Sequence, residues 1–569
     1  MSFRQSRVPL PELSSYQHTA KELGEGSTLP NHAMLEGCVV GGSMYPGESR
    51  LSAAYPAAAT RPGTEPAQSP VRAAHRLAEL ERSPTVKPSA RHDSLLDLRS
   101  SRPNDVPSRW EGGSGALPPC RPWIEAAGLR AVEELAGVFK QVTAAGFKGR
   151  GDDPQRRAER ESQSHIKQHS REWFVHYEQW LWACRVDAIV GGGDVVPVLP
   201  AVPAAEAQAE LARKLERAGV TPAAAHQACA RLAAACARLS RRVAAAPALV
   251  AASVSVTRPP AKHEGSTRTN QVKRHSPLVR LVFDGTAVEC SFAHLEKLRA
   301  LHAAAAGGPA DRTRKQGGMP FSRPPTEGPA AEQNFAVSAF CVLARTFALQ
   351  GCEARAGGMQ AACGAAAFDA LRADFGVTME LFASPLNARY GTFCSAGADV
   401  DGAFGSVGSF FTLSFVRGAY LAHPPFIPAI VEAMAARVDA QLRAADAAGE
   451  ALTFVVVVPH WKPTGRTGSS PPGSRPRSNE ELHPYWSPHW PERRAWQALR
   501  DVAGFHKVVE LPQEAHGFFE GSQQTSDTLW RASKHPTSVF FLMSERAATA
   551  CPMTVPKERR LREAFGRPV

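Results

Sequence analysis

The pattern of apolar and polar positions divides the chain into parts of different texture. Residues 1–120 are rich in Ser, Pro, Ala, Gly and Arg and have no sustained apolar period. Such an arm cannot bury enough apolar surface to offset the entropy of ordering it, so it is predicted to be disordered. Over 121–256, apolar residues recur at three- and four-residue spacing, which predicts a helical domain. A polar, basic linker at 257–276, a domain of strands and helices at 277–556 and a basic tail at 557–569 follow.

The domain at 277–556 has its own internal order. A small β element is predicted at 277–305, where LVRLVFDGTAVECSF forms two strands around an Asp284-Gly285 turn. A second linker at 307–332 precedes a core at 333–556. The strand candidates of the core are VTMELFAS, SFFTLSF, LTFVVVVPHW, HKVVELP and TSVFFLMS, with the amphipathic helix IPAIVEAMAARVDAQLRAADAAG among them. This alternation predicts an α/β fold with a mostly parallel sheet, a Rossmann-like core.

Composition adds an expectation about partners and location. The chain carries a formal net charge of +12, and a basic balance of this size favours polyanions such as nucleic acid. Its 11 cysteines are scattered and include no C-x-x-C pair, so neither a disulfide framework nor a structural zinc site is expected. No apolar run reaches the roughly 20 residues of a membrane span. We therefore expect a soluble protein of a reducing intracellular compartment.

Aromatic residues crowd one helical segment of the predicted helical domain. Trp173, Phe174, Tyr177, Trp180 and Trp182 all fall within SREWFVHYEQWLWACRVDAIV. Such a cluster either packs in a helical core or forms a platform on which nucleobases stack. Packing in the core is the prediction, because the residues follow the helical period, and stacking is the alternative.

One tetrapeptide carries candidate chemistry. His423-Pro424-Pro425-Phe426 stands between an apolar run and an amphipathic helix. Enzymes that methylate the amino group of adenine use an X-Pro-Pro-aromatic loop at such a position. In these loops a polar side chain and a proline carbonyl accept the amino hydrogens, the prolines fix the backbone, and the aromatic ring stacks on the base. Catalysis then depends mainly on positioning. A Pro-rich chain contains such strings by chance, so the tetrapeptide needs support from its surroundings.

The surrounding segments supply that support. FASPLN at 382–387, TFCSAGADVDGAFGSVGSF at 392–410, AHPPF at 422–426 and FVVVVPHW at 454–461 occur in this order and at close spacing. Together with HGFFEGSQ further on, at 516–523, they resemble the cap-specific adenosine-N6 methyltransferases, a family also called the phosphorylated-CTD-interacting factors. The resemblance covers about half of the chain.

The resemblance implies a fold, a reaction and partners. Members of the family transfer a methyl group from S-adenosylmethionine to N6 of the first transcribed adenosine, beside the 7-methylguanosine cap of mRNA. They need no metal, and their fold is a Rossmann-like methyltransferase core wrapped by a helical domain. The expected cofactor is therefore S-adenosylmethionine and the expected partner is capped mRNA. The expected location is the nucleus, with the cytoplasm as the alternative.

The resemblance also implies roles for individual residues. His423, Pro424, Pro425 and Phe426 match the catalytic loop, and His423 and Phe426 would also contact the cofactor. The further residues implied for the cofactor are Ser384, Pro385, Asn387, Asp399 and Asp401, and those implied for the substrate are Trp461, Lys462, Pro463, His516 and Phe518. Ordinary turn chemistry explains Ser384 and Asn387 equally well. A structural loop is the alternative for the two aspartates, and a cap on the sheet edge is the alternative for Trp461.

The chain departs from the family in its catalytic loop. His423 stands where the family has asparagine, and Pro428 stands where members tend to have an acidic residue that contacts the substrate. A neutral imidazole offers one acceptor nitrogen and a protonated imidazole offers none, so activity is expected to depend on the charge of His423. Phe518 also lacks the hydroxyl of the tyrosine in the family's His-x-Tyr pair.

Three functions therefore stay open. The leading hypothesis is an active cap-adenosine methyltransferase. The second is a catalytically degenerate relative that binds capped RNA or the cofactor as an interaction module, and the third is an adenine-N6 methyltransferase with another RNA or DNA substrate.

Trp110 and Trp123 have no aromatic strand between them, so no WW module is expected and binding to the phosphorylated polymerase tail is not implied.

Overall fold

The structure is a computed structural model with gaps along the chain. The described residues are 120–147, 176–191, 196–217, 220–249, 253–258, 277–306, 328–352, 358–461, 491–521, 524–525 and 530–566. The predicted arm, apart from Cys120, and most of both predicted linkers lie outside these residues.

Helices and strands alternate between residues 361 and 511, whereas helices predominate in the described residues before 250. The helices are α1 (Pro122–Phe147), α2 (Val186–Val190), α3 (Ala205–Arg217), α4 (Pro222–Ala244), α5 (Phe292–Ala306), α6 (Pro329–Leu349), α7 (Ala365–Phe375), α8 (Ala398–Asp401), α9 (Pro428–Ala447), α10 (Pro491–Arg500), α11 (Glu545–Ala550) and α12 (Val555–Ala564), with a further helical segment at 176–183. The strands are β1 (Ser255–Thr257), β2 (Leu278–Phe283), β3 (Thr286–Ser291), β4 (Ala361–Ala362), β5 (Met379–Glu380), β6 (Gly418–Ala422), β7 (Leu452–Pro459), β8 (Phe505–Leu511), β9 (Gly517–Glu520), β10 (Trp530–Ala532) and β11 (Thr537–Met543). None of the described helices has both the length and the apolar character needed to cross a membrane.

The largest sheet confirms the predicted mixture of strand and helix. Its order is β5-β6-β7-β11-β8, with β5, β6 and β7 parallel and β11 antiparallel to both of its neighbours. Beyond β5, parallel bridges join Glu380 to Phe393 and Phe393 to Ser406, which extends the sheet at that edge. Two smaller antiparallel sheets, β1-β2-β3 and β10-β9-β4, complete the described strands.

Strand β7 shows why its sequence is almost uniformly apolar. Phe454, Val456 and Val458 pack in one hydrophobic cluster with α9 and α10. Val455 and Val457 pack in another cluster on the opposite face, with α7, α11 and α12. Because side chains alternate across a strand, a strand covered on both faces needs apolar residues at every position.

The amino-terminal helices share a core with the small β element. Leu135 of α1, Leu232 of α4, Leu281 of β2 and Phe340 of α6 belong to one buried cluster. Helix α6 is buried along most of its length, so it lies at the centre of this packing. Strand β1, which was not predicted, pairs with β2 and continues the small sheet. The predicted Asp284-Gly285 turn is confirmed, with φ of 45° and 70°.

The aromatic cluster packs inside the protein. The Tyr177 and Trp180 rings lie 6.1 Å apart and are 0% and 2% exposed, and Trp182 is also buried. Core packing is therefore confirmed for these three residues. Trp173 and Phe174 lie outside the described residues.

One predicted strand is wrong. SFFTLSF, residues 409–415, contains turns, and the strand comes after it as β6. Side chains of α9 take its backbone groups: Arg437 donates to the Phe410 and Leu413 carbonyls at 3.0 and 2.6 Å, and Gln441 accepts from the Phe415 N–H at 3.0 Å. Its aromatic residues are buried, but these backbone groups bond to side chains of α9 instead of to a neighbouring strand.

Two element boundaries also differ from the prediction. Helix α6 begins at Pro329, inside the predicted linker at 307–332. Most of the segment predicted as a basic tail belongs to α12, whose Leu561 is 1% exposed and is followed by Phe565, which is 2% exposed. The periodic placement of these two apolar residues lets a charged segment dock as a helix.

Candidate active site

A cleft lies where the parallel strands β5 and β6 end. Its walls are Ala361, Ala362, Cys363, Phe368, Glu380, Phe382, Asn387, Leu421 and His423. Glu380 is the last residue of β5, and His423 directly follows β6. The carboxyl edge of parallel strands is the usual ligand site of open α/β sheets. Mostly apolar walls with a few convergent polar groups are typical of small-molecule sites.

His423 is the residue of the predicted catalytic loop that faces this cleft. Its ring centroid lies 5.5 Å from that of Phe426 and 5.2 Å from that of Phe518. Burial lowers the pKa of His423 to about 4, because an apolar environment disfavours the charged imidazolium. The imidazole is therefore neutral near pH 7 and keeps one acceptor nitrogen.

The rest of the loop leads away from the cleft toward Trp461. The Pro425 carbonyl accepts from the Ile427 N–H at 2.7 Å, which tightens the turn before α9. Phe426 and Trp461 meet edge to face, with ring centroids 6.4 Å apart. Phe426, which follows β6, and Trp461, which follows β7, thus form one aromatic corner. Lys462 and Pro463 lie outside the described residues.

Ser384 and Asn387 form a hydrogen-bonded turn after β5. The Asn387 Oδ1 accepts from the Ser384 N–H at 2.6 Å, and the Asn387 amide donates to the Gln360 carbonyl at 3.2 Å. The Ser384 hydroxyl lies 3.0 Å from Gln360 Oε1. Turn chemistry therefore accounts for both side chains, and Asn387 also lines the cleft. Pro385 lies within this turn.

The two aspartates predicted for the cofactor are engaged elsewhere. Asp399 pairs at 2.9 Å with Arg345 of α6, which also pairs at 2.7 Å with Glu125 of α1. Asp401 is buried, and burial raises its pKa to about 8, although a hydrogen bond from Ser395 acts in the opposite direction and lowers it. Neither aspartate is among the lining residues of the cleft. Asp399 thus joins its loop to α6 through Arg345.

His516 and Phe518 support the cleft from behind its lining. The two ring nitrogens of His516 lie 2.7 Å from the Pro512 carbonyl and 2.7 Å from the Thr537 hydroxyl, and the residue is 1% exposed. Its hydrogen-bonding capacity is thus used within the protein. Phe518 lies between the rings of His516 and His423, at 5.5 and 5.2 Å.

Sequence reasoning missed a buried polar group in the cleft. Glu380 Oε2 accepts from the backbone N–H groups of Arg389 and Tyr390 at 2.6 and 3.2 Å, and burial raises its pKa to about 7. Nearby, the Lys297 ammonium donates at 2.8 Å to the Leu386 carbonyl within FASPLN, and burial lowers the pKa of Lys297 to about 7. The sequence does contain a signal for Glu380, because it is a carboxylate in the otherwise mostly apolar strand candidate VTMELFAS. A carboxylate in such a place indicates a functional or hydrogen-bonded group.

Comparisons with known proteins find similarity over part of the chain. Over 134 residues the chain is 34% identical to the human mRNA (2'-O-methyladenosine-N(6)-)-methyltransferase, and equally to the mouse protein of that name. The matched part is 23% of this chain and spans only 19% of the length of either relative. A family model described as "Phosphorylated CTD interacting factor 1 WW domain" matches residues 322–470. Both findings support the family resemblance over about a quarter of the chain.

The family match corrects one expectation. A model described as a WW domain matches this chain, so the prediction that no WW module is present is wrong, and the inference drawn from it about the polymerase tail no longer holds. The prediction considered only Trp110 and Trp123, whereas the match lies at 322–470. There the described residues run from α6 to Trp461, just after β7, and include the predicted catalytic loop.

Proposed function

We propose that this chain is an S-adenosylmethionine-dependent RNA methyltransferase that methylates N6 of the adenosine next to the mRNA cap, and that it acts in the nucleus. The observation that carries the proposal is the position of the His423-Pro424-Pro425-Phe426 loop. It follows a parallel strand, faces a cleft at the carboxyl edge of the sheet, and lies within residues 322–470, which match the phosphorylated CTD interacting factor 1 family model.

The sheet supports a Rossmann-like core. Three parallel strands followed by an antiparallel one, with helices on both faces, suit a doubly wound sheet. We propose 277–556 as the methyltransferase domain and 121–256 as the helical domain that packs on it. The helical domain and the small β element share one hydrophobic cluster, so the two would act as a single body.

The residues at the cleft suit the cofactor. Glu380 presents a carboxyl group between apolar walls, which is able to hold the amino group or a sugar hydroxyl of the cofactor. Asn387 also lines the cleft, but its amide is bonded to Ser384 and Gln360. When bound there, S-adenosylmethionine supplies an electrophilic methyl group. Because Ser384 is committed to Gln360 and Asn387, its role is to hold the turn that bounds the site.

His423 and Phe426 would position the adenine. A neutral imidazole accepts a hydrogen bond from one N6 hydrogen and so orients the amino nitrogen. The same ring nitrogen can receive the N6 proton as the bond between N6 and the methyl carbon forms and the bond from that carbon to the cofactor sulfur breaks. Phe426 and Trp461 present aromatic surface for base stacking, worth about 1–3 kcal/mol per base. Because burial lowers the pKa of His423 to about 4, its acceptor nitrogen stays available at neutral pH, as the proposed role requires.

Methyl transfer from labelled cofactor to capped RNA that begins with adenosine tests the proposal. Guanosine-start and uncapped RNAs are the substrate controls, and internal adenine RNA and DNA test the shifted-substrate alternative. We expect transfer to the capped adenosine-start RNA alone. His302→Asn is the matched protein control, because His302 packs against Phe335 and Phe404, outside the cleft lining. Absence of transfer, with activity gained by His423→Asn but not by His302→Asn, would establish the degenerate alternative.

A further inference from the structure

The carboxyl-terminal helix reaches the active-site loop through a chain of aromatic rings. Phe565 follows α12 and is 2% exposed. Its ring meets that of Phe518 edge to face at 6.5 Å, and Phe518 lies 5.2 Å from the imidazole of His423. Three rings therefore connect the end of the chain to the cleft.

The backbone fixes the middle of this chain of rings. The Phe565 carbonyl accepts from the Gly517 N–H at 3.2 Å, directly before Phe518. A side chain at Gly517 would come within 2.3 Å of the Arg531 carbonyl, so β9 lies tightly against β10. On its other side β9 pairs with β4, which lines the cleft.

Helix α12 is itself anchored to the core. Leu561 and Phe565 pack in the cluster that covers one face of the sheet. At the surface, Arg560 pairs with Asp374 at 2.6 Å, next to the end of α7. The helix therefore has a defined position from which to support β9.

We propose that Phe518 and Phe565 are positioning residues that hold the His423 imidazole at the angle needed to accept the adenine amino hydrogen, so that α12 is part of the active-site support. The inference rests on the proposed methyl transfer. A packed ring on one side restricts rotation of His423 about its side-chain bonds, and a displacement of about 1 Å at a reacting group can cost up to about 100-fold in rate. The cofactor, held at the β5 end, would be unaffected.

The test compares Phe565→Leu and Phe518→Leu with Phe283→Leu in the full chain. Phe283 is a matched control because it is 1% exposed and packs against Phe340 at 5.7 Å, in a hydrophobic cluster that includes no residue of β9 or α12. We expect the first two variants to lower kcat by roughly 10- to 100-fold, with the cofactor Kd and the KM for RNA unchanged. Equal kcat losses in all three variants, or a loss confined to cofactor affinity, would overturn the proposal.

A second measurement separates this inference from the proposed function. The His423 imidazole signals of the cofactor-free protein are followed by NMR with labelled histidine and assigned through His423→Asn. Phe565→Leu should shift these signals, because the Phe518 ring moves, whereas Phe283→Leu should leave them in place. If the wild-type chain transfers no methyl group, the proposed function fails, and this shift alone decides the inference. Unchanged His423 signals in Phe565→Leu would reject it.

Discussion

Replacing Arg345 with methionine should destabilise the chain by about 3–5 kcal/mol. Arg345 lies 2.7 Å from Glu125 and 2.9 Å from Asp399, and the three side chains are only 6%, 3% and 11% exposed. It also donates to the Val196 carbonyl at 3.1 Å. The substitution therefore leaves two carboxylates facing each other in a buried site without their cation.

Burial decides the size of this effect. An exposed ion pair contributes only about 0–1 kcal/mol, because water screens both charges. A buried carboxylate that loses its partner cannot recover its hydration, so the cost of removing one member is several times larger. Replacing Glu125 with glutamine in the same chain removes one of the two stranded charges, so Arg345→Met with Glu125→Gln should recover part of the loss.

Urea unfolding, followed by circular dichroism, measures the free energy of unfolding. Arg443→Met is the control, because Arg443 is 65% exposed and pairs at 2.7 Å with Asp439 on the same helix. We expect a clear fall of the midpoint for Arg345→Met and none for Arg443→Met. Equal midpoints for the two variants would show that the Arg345 site is hydrated and would refute the reasoning.

Three further predictions concern the cleft and the aromatic corner formed by Phe426 and Trp461. Burial raises the pKa of Glu380 from 4.5 to about 7, so the stability due to its protonated form is fully present below about pH 4.5 and is lost as the pH rises through about 7. Glu380→Gln should therefore flatten the pH dependence of the urea midpoint over this range, and an unchanged slope would contradict it. Because burial lowers the pKa of His423 to about 4, the rate of methyl transfer should not fall as the pH drops through 6.5. A fall of the rate near pH 6.5 that disappears in His423→Asn would contradict this prediction. Trp461→Ala should weaken binding of capped RNA by about 1–3 kcal/mol more than binding of uncapped RNA, measured by fluorescence anisotropy. Equal losses would exclude cap stacking by this indole.

The sequence predicted best those elements whose burial is uniform or regular. Strand β7 and helix α9 were predicted closely, because an apolar run and an amphipathic period each have one simple explanation. Residues 409–415 were wrongly assigned to a strand, because their aromatic residues are buried by packing while Arg437 and Gln441 take the backbone hydrogen bonds. Local pattern carries no information about side chains that arrive from another helix.

The same limit applies to the site. The loop at His423 could be found because its residues are contiguous and occur in a specific context. The contacts of Lys297 with Leu386 and of Arg345 with Glu125 join residues 89 and 220 positions apart, and no spacing in the sequence indicates them. The charge state of His423 follows from burial, which depends on the assembled wall of the cleft.

The shared cluster of α1, α4 and α6 has a consequence for how the protein is made. The ribosome releases α1 and α4 well before α6, which packs against α1 and the small β element in one buried cluster. Until α6 emerges, the apolar surface of α1 that it covers stays exposed, and such intermediates are prone to aggregate. Synthesis of this chain should therefore be sensitive to slow translation between α4 and α6, and to the supply of chaperones that shield nascent apolar segments.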